Sequence, residues 1–160
     1  MTIKVGDKLP DATLIKVTEN GPDAVQAQDY FAGRKVALFC VPGAFTPTCS
    51  ARHLPSFLAN IDELKAKGID EVACTAVNDA FVMSAWAKQA GAEGKVTMLA
   101  DGNGGFAKAL GLDADCAKFG MGTRSQRYSM VIDDGVVKQL NVEQPGAFEV
   151  SSAEYMLERL

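Results

Sequence analysis

The chain has 160 residues, 48% hydrophobic and 22% charged, the size and balance of one domain spanning 1–160. Its net charge of −4 is spread along the sequence, which leaves no basic face for nucleic acid and no cationic face for a membrane. The apolar runs are too short to cross a bilayer, and the opening MTIKVGDKLPDATL lacks the basic region and apolar core of a signal peptide, so a cytoplasmic protein is expected.

In chain order, ATLIKV and then KVALFCV (Lys35–Val41) read as strands. From about Pro47 to Lys67, the residues Leu54, Phe57, Leu58, Ile61 and Leu64 fall at helical spacing. Lys65, Lys67 and Gly68 supply the stop, and Pro55 is expected to bend this helix without ending it. DEVACTAV (Asp70–Val77) is the next strand, AFVMSAWAKQA (Ala80–Ala90) a helix, KVTMLAD a strand and GGFAKALGL a short helix. RYSMVID and VVKQLNVE flank the turn signal DDG and form a hairpin. The chain closes on SSAEYMLERL, a helix with Ser151 and Glu154 as its capping box. Strands alternating with helices imply parallel pairing, and the hairpin adds antiparallel strands at one edge. The result is an α/β sandwich on a mixed sheet, with its reactive end at the carboxyl ends of the strands.

Four cysteines are scattered at Cys40, Cys49, Cys74 and Cys116, with no CxxC pair and no disulfide framework. His53 is the single histidine, so no usual metal set is expected. Cys40 lies in an apolar run and reads as core. Cys49 is different. In VPGAFTPTCS, Thr46 is placed to cap a helix with its hydroxyl, Pro47 takes the first helical position and Cys49 the third. The amides of a first turn lack helical partners and the macrodipole is positive there, so a thiolate is favoured over a thiol. Taken alone, the stretch also fits a plain helix cap with an incidental cysteine.

Pro42, Thr46 and Cys49 form P-x-x-x-T-x-x-C. With HLP following, and with KGIDEVACTAVNDAFVMSAW, EGKVTMLAD and RYSMVIDDGVVKQLNVE in the same order, the chain resembles the type II branch of the peroxiredoxins over roughly Ile3–Leu160. That resemblance implies a thioredoxin-like three-layer α/β/α sandwich with a mixed central sheet and no cofactor. It implies that Cys49 attacks the peroxide O–O bond and becomes a sulfenic acid, that Thr46 aligns the peroxide and that Pro42 shields the pocket. It also implies an arginine ahead of an aromatic residue at the start of a late strand, which is Arg127 in "RY"; Arg124 is its nearby rival. The chemistry is consistent: displacement at oxygen needs an in-line thiolate and donors where charge grows, and a guanidinium serves both ends.

His53 lies four residues after Cys49, and a packing or interface histidine at the pocket edge is preferred to a Cys–His nucleophile pair. By analogy with the branch, Phe45 and residues 78–82 are expected at a homodimer surface. Atypical two-cysteine members carry a resolving cysteine near the C-terminus, where this chain has Ser151. Cys74 matches a cysteine given a resolving role in some members, and no role transfers to Cys116. The expected cycle therefore uses one cysteine, with a hydroperoxide as substrate and glutathione with glutaredoxin, or thioredoxin, as reductant. Local unwinding at Cys49 would let the sulfur reach that thiol. A redox sensor using the same cysteine is the competing reading, while a thioredoxin-type disulfide oxidoreductase would need the missing CxxC.

Overall fold

A computed structural model describes residues 2–160. Its centre is a seven-stranded sheet in the order β2-β1-β5-β4-β3-β8-β9. Strands β3 (Lys35–Cys40), β4 (Glu71–Ala76) and β5 (Thr97–Ala100) are parallel neighbours. β8 (Tyr128–Asp133) runs antiparallel to β3 and turns into β9 (Val136–Val142), the expected edge hairpin. β1 (Thr13–Thr18) lies antiparallel to β5 and carries β2 (Gly21–Gln26) at the opposite edge. β2 does not stand out in the sequence because Gly21, Pro22 and Asp23 are turn residues; only an edge strand accommodates them.

The sheet is buried on both faces, which explains why KVALFC is apolar throughout rather than alternating. One face presents Ala37, Phe39, Val72, Cys74 and Met98 to helices α2 (Leu54–Ala59), α3 (Ile61–Ala66), α4 (Ala80–Ala90) and α6 (Ala153–Glu158). The other presents Val36, Leu38, Cys40, Leu99 and Met130 to α1 (Ala27–Phe31) and α5 (Gly105–Leu110). These are the three layers of the thioredoxin-like sandwich. A small hairpin, β6 (Asp113–Asp115) with β7 (Thr123–Ser125), folds outside them and was not apparent in the sequence, since its strands have only three residues each.

The helix expected over 47–67 is broken into parts. A wide π turn spans Cys49–His53, in which the Leu54 amide reaches back five residues to the Cys49 carbonyl. A proline ring in a helix collides with the carbonyl four residues earlier, here that of Ala51, and widening the turn before Pro55 makes room for it. The chain then breaks at Asn60, whose side chain donates to the Ser56 carbonyl at 2.8 Å and competes with the helical bond. The capping box is also displaced. Ser152, not Ser151, caps α6 by accepting from the Tyr155 amide at 3.1 Å, and Glu154 instead accepts from Ser56 Oγ at 2.8 Å and from Asn60 Nδ2 at 3.2 Å. Partners distant in sequence outcompeted the local one.

Phe57 links this region to the sheet, stacked on Phe39 with centroids 4.2 Å apart and planes 7° from parallel. Both rings are fully buried, so Phe57→Ala leaves a cavity behind the π turn. It is expected to cost about 3–5 kcal/mol of stability, read as a lower urea midpoint with the denaturant slope unchanged.

Candidate active site

β3 ends at Cys40, and Val41 is held in line with β4 by its amide, which donates to the Thr75 carbonyl at 3.2 Å. The chain then turns sharply through Pro42–Phe45. Phe45 has φ +65°, a conformation that costs a bulky residue energy and is kept where surrounding contacts impose it. One such contact is the Ala44 amide, which donates to Asn78 Oδ1 at 2.9 Å. Gly43 sits where a Cβ would come within 3.1 Å of Thr46 Cγ2 and 3.2 Å of Met121 Cε, so the hairpin loop presses closely on this turn.

Thr46 begins the helical segment through its carbonyl, which accepts from the Ser50 amide at 2.9 Å. Its hydroxyl does not cap as expected. It donates to the Gly43 carbonyl at 2.7 Å, which commits its one proton and leaves its lone pairs to accept from another donor.

Cys49 is fully buried, and Arg127 Nη2 donates to its sulfur at 3.1 Å. Arg127 comes from the residue just before β8. Its neighbour Tyr128 faces the core on the opposite side of the sheet, so strand alternation turns Arg127 toward Cys49. Arg124 lies elsewhere: its Nε donates to the Met121 carbonyl at 2.9 Å and its Nη1 to the Val77 carbonyl at 3.2 Å, beside Gly43.

His53 is fully buried rather than at a pocket edge or a surface, and it faces Arg127 instead of acting as a base on the thiol. Arg127 Nη1 lies 2.9 Å from His53 Nδ1, and His53 Nε2 lies 2.9 Å from the Ser151 carbonyl. A guanidinium only donates and a carbonyl only accepts. The ring must therefore be neutral, with its proton on Nε2 and its lone pair on Nδ1. Burial, and then the Arg127 cation, lower its pKa to about 3, which agrees with that assignment.

Two aromatic contacts were not apparent in the sequence. Phe148 covers the group, with its ring 5.0 Å from His53, 4.7 Å from the Arg52 guanidinium and 6.0 Å from that of Arg127. Trp86 Nε1 donates to Ser50 Oγ at 3.0 Å and ties the π turn to α4. Both depend on long-range packing that no local pattern announces.

None of the other cysteines hydrogen-bonds to this arrangement among the described residues, and all four are free thiols. Cys74 is fully buried on β4, where burial pushes its thiol well above the ordinary range. Cys40 faces the opposite core, and burial raises it to about 12. Cys116 is half-buried in the loop between β6 and β7. Among the described residues no His, Cys, Asp and Glu cluster is arranged to hold a metal, and no helix is long and apolar enough to cross a membrane.

The redoxin family model matches residues 4–157. The chain is 52% identical over 163 aligned residues to Peroxiredoxin-2E, chloroplastic, of Arabidopsis thaliana, across 99% of this chain and 70% of that protein. It is 47% identical over 159 residues to Peroxiredoxin-2D of the same plant, across 99% of this chain and 98% of that one. Among solved structures it is similar to reduced Prx3 of Vibrio vulnificus in complex with H2O2, with a TM-score of 0.95, 54% identity and 99% of each chain covered. Matched length, identity and fold agree, and the chain belongs to the redoxin family in its type II peroxiredoxin branch, as a thiol peroxidase.

Proposed function

We propose that the chain reduces hydrogen peroxide and small organic hydroperoxides through Cys49, and that an external thiol recycles it. The observation that carries this reading is the Arg127 guanidinium on the Cys49 sulfur at 3.1 Å. The Cys49 thiolate attacks the terminal oxygen of ROOH. An S–O bond forms as the O–O bond breaks, the alkoxide leaves and takes up from water the proton that the thiol gave up, forming ROH, and Cys49 is left as a sulfenic acid. Arg127 keeps a donor on the sulfur and on the oxygen that joins it, where negative charge is shared during transfer. Thr46, its proton already committed, accepts from the hydroperoxide O–H and fixes its line of approach. Pro42, half-buried in the turn that leads to Cys49, is assigned the shielding role that the family pattern gives it and limits access by water.

A thiol R'SH then attacks the sulfenic acid, releasing water and leaving a mixed disulfide. A second R'SH returns Cys49 to the thiol and departs as R'SSR'. An external reductant, glutathione with glutaredoxin or thioredoxin, fits the positions of the other thiols. Cys74 is enclosed and held protonated, and Ser151 stands where a resolving cysteine would. The sulfur reaches that reductant when the π turn of Cys49–His53 opens; single π turns are rare and recur at functional sites. Phe45 and Phe81 are 47% and 74% exposed on segments tied together by the Ala44–Asn78 bond, and they are the proposed homodimer surface. Free thiols throughout suit a reducing compartment such as the cytoplasm.

Intact mass after one equivalent of hydrogen peroxide tests the reading: the wild type is expected to gain one oxygen and Cys49→Ser none. Loss of two hydrogens within one chain would instead mark an internal resolving cysteine. Arg127→Lys keeps a charge but not the paired donors, so it cannot bridge the sulfur and His53 together. It is expected to slow Cys49 oxidation by about a hundredfold in stopped-flow measurements. His53 also makes stability depend on pH. The unfolded ring takes up a proton near 6.5 and the folded one only near 3, so the contribution is complete above 6.5 and is lost as pH falls toward 3. Urea unfolding at pH 7 and pH 5 is expected to show a loss on the order of 2 kcal/mol in the wild type that His53→Gln does not share.

A further inference from the structure

We infer that Glu143 is a positioning residue for peroxide reduction: it aims the Ser151 carbonyl at His53, and through His53 it holds Arg127 against Cys49. This rests on the reading of Cys49 and Arg127 given above.

Glu143 follows β9 and is only 6% exposed. Its Oε2 accepts from the amides of Glu149 at 2.9 Å, Val150 at 2.9 Å and Ser151 at 2.8 Å, and from Ser151 Oγ at 2.7 Å. Its Oε1 also accepts from the Glu149 amide, at 3.0 Å. No cation forms an ion pair with it among the described residues. A buried carboxylate is costly unless donors surround it, and here they are supplied almost wholly by one turn of backbone. Burial pushes its carboxyl up, but the Ser151 hydroxyl and the three amides outweigh burial and hold it below the ordinary value. The carboxylate is therefore the element that organises residues 149–151.

The consequence for the site follows from Ser151. Its amide and its hydroxyl are both fixed on Glu143, which leaves its carbonyl one direction, toward His53 Nε2. That carbonyl selects the ring tautomer. The alternative tautomer would set an N–H of the ring against an N–H of Arg127, donor against donor, and the guanidinium would lose its acceptor. Glu143 also grips the arginine at its other end, because the Glu143 amide donates to the Arg127 carbonyl at 2.9 Å. One residue thus closes a ring of contacts: Arg127 backbone, Glu143 backbone, Glu143 carboxylate, Ser151, His53 and the Arg127 guanidinium.

Because His53 is the only histidine in the chain, its ring is read without assignment by ¹⁵N NMR. Glu143→Ala is expected to change the single Nε2–H tautomer into a mixture and to slow Cys49 oxidation by about tenfold, less than the roughly hundredfold that a full 1 Å misplacement can cost. The same change on a His53→Ala background is expected to add no further slowing, since both act through one path. Glu143→Gln keeps the reach and one acceptor oxygen, and should fall between wild type and Glu143→Ala in both readouts. If Glu143→Ala fails to fold, Glu143→Gln carries the test. An unchanged tautomer, or slowing that multiplies with that of His53→Ala, would overturn the inference. Failure of the wild type to oxidise at Cys49 would sink the parent reading instead, while the ring spectrum still answers for Glu143.

Discussion

The site depends on a half-buried guanidinium set against a buried sulfur. Drawing a cation partly out of water is costly unless its donors are used, and Arg127 spends one on Cys49 and one on His53. Both acceptors lie within the five residues of the π turn, and the cation comes from the start of β8 on the other side of β3. The helical segment, the sheet and the strand end must therefore be in register before the arginine is satisfied. This couples the geometry of a thiol to the assembly of the whole central sheet.

Neutral histidine is the less obvious half of that arrangement. A protonated ring beside Arg127 would place two cations in contact and remove the lone pair that the guanidinium needs. Burial and the Arg127 cation itself prevent this, and the Ser151 carbonyl, from a residue 98 positions away in sequence, fixes the one remaining proton on Nε2. Residues of the last turn before α6 thus take part in the chemistry of a cysteine in the first third of the chain.

That distance sets what the sequence could convey. The strand at Lys35–Val41, the helix at Ala80–Ala90, the DDG hairpin and the helix start at Thr46 follow from period, caps and turn residues, which are local. Arg127 and Arg124 were distinguishable only through the family pattern, because the face a side chain takes depends on strand register. Residues whose partners lie far away were misjudged or unseen. Ser151 looked like a cap and is instead a bonded, buried residue; Thr46 looked like an acceptor for an amide and is a donor to Gly43; His53, read as a packing or interface residue at the pocket edge, does pack against aromatic rings but is fully enclosed. Glu143 and Phe148 carried no signal, since a glutamate after a strand and an aromatic in a loop are ordinary until the fold brings them to the site.

Two thiols inside the cores give the molecule a further property. Cys40 and Cys74 back onto opposite faces of adjacent strands, and enclosure keeps each as a neutral S–H. A catalyst that handles oxidants is continually exposed to its own substrate, and unreactive spare sulfurs guard against self-damage. Selectivity among cysteines here comes from location alone: the same element is inert as filler in a strand and engaged where a guanidinium meets it. The sheet therefore serves as insulation as well as scaffold, keeping the sulfurs of Cys40 and Cys74 out of that chemistry.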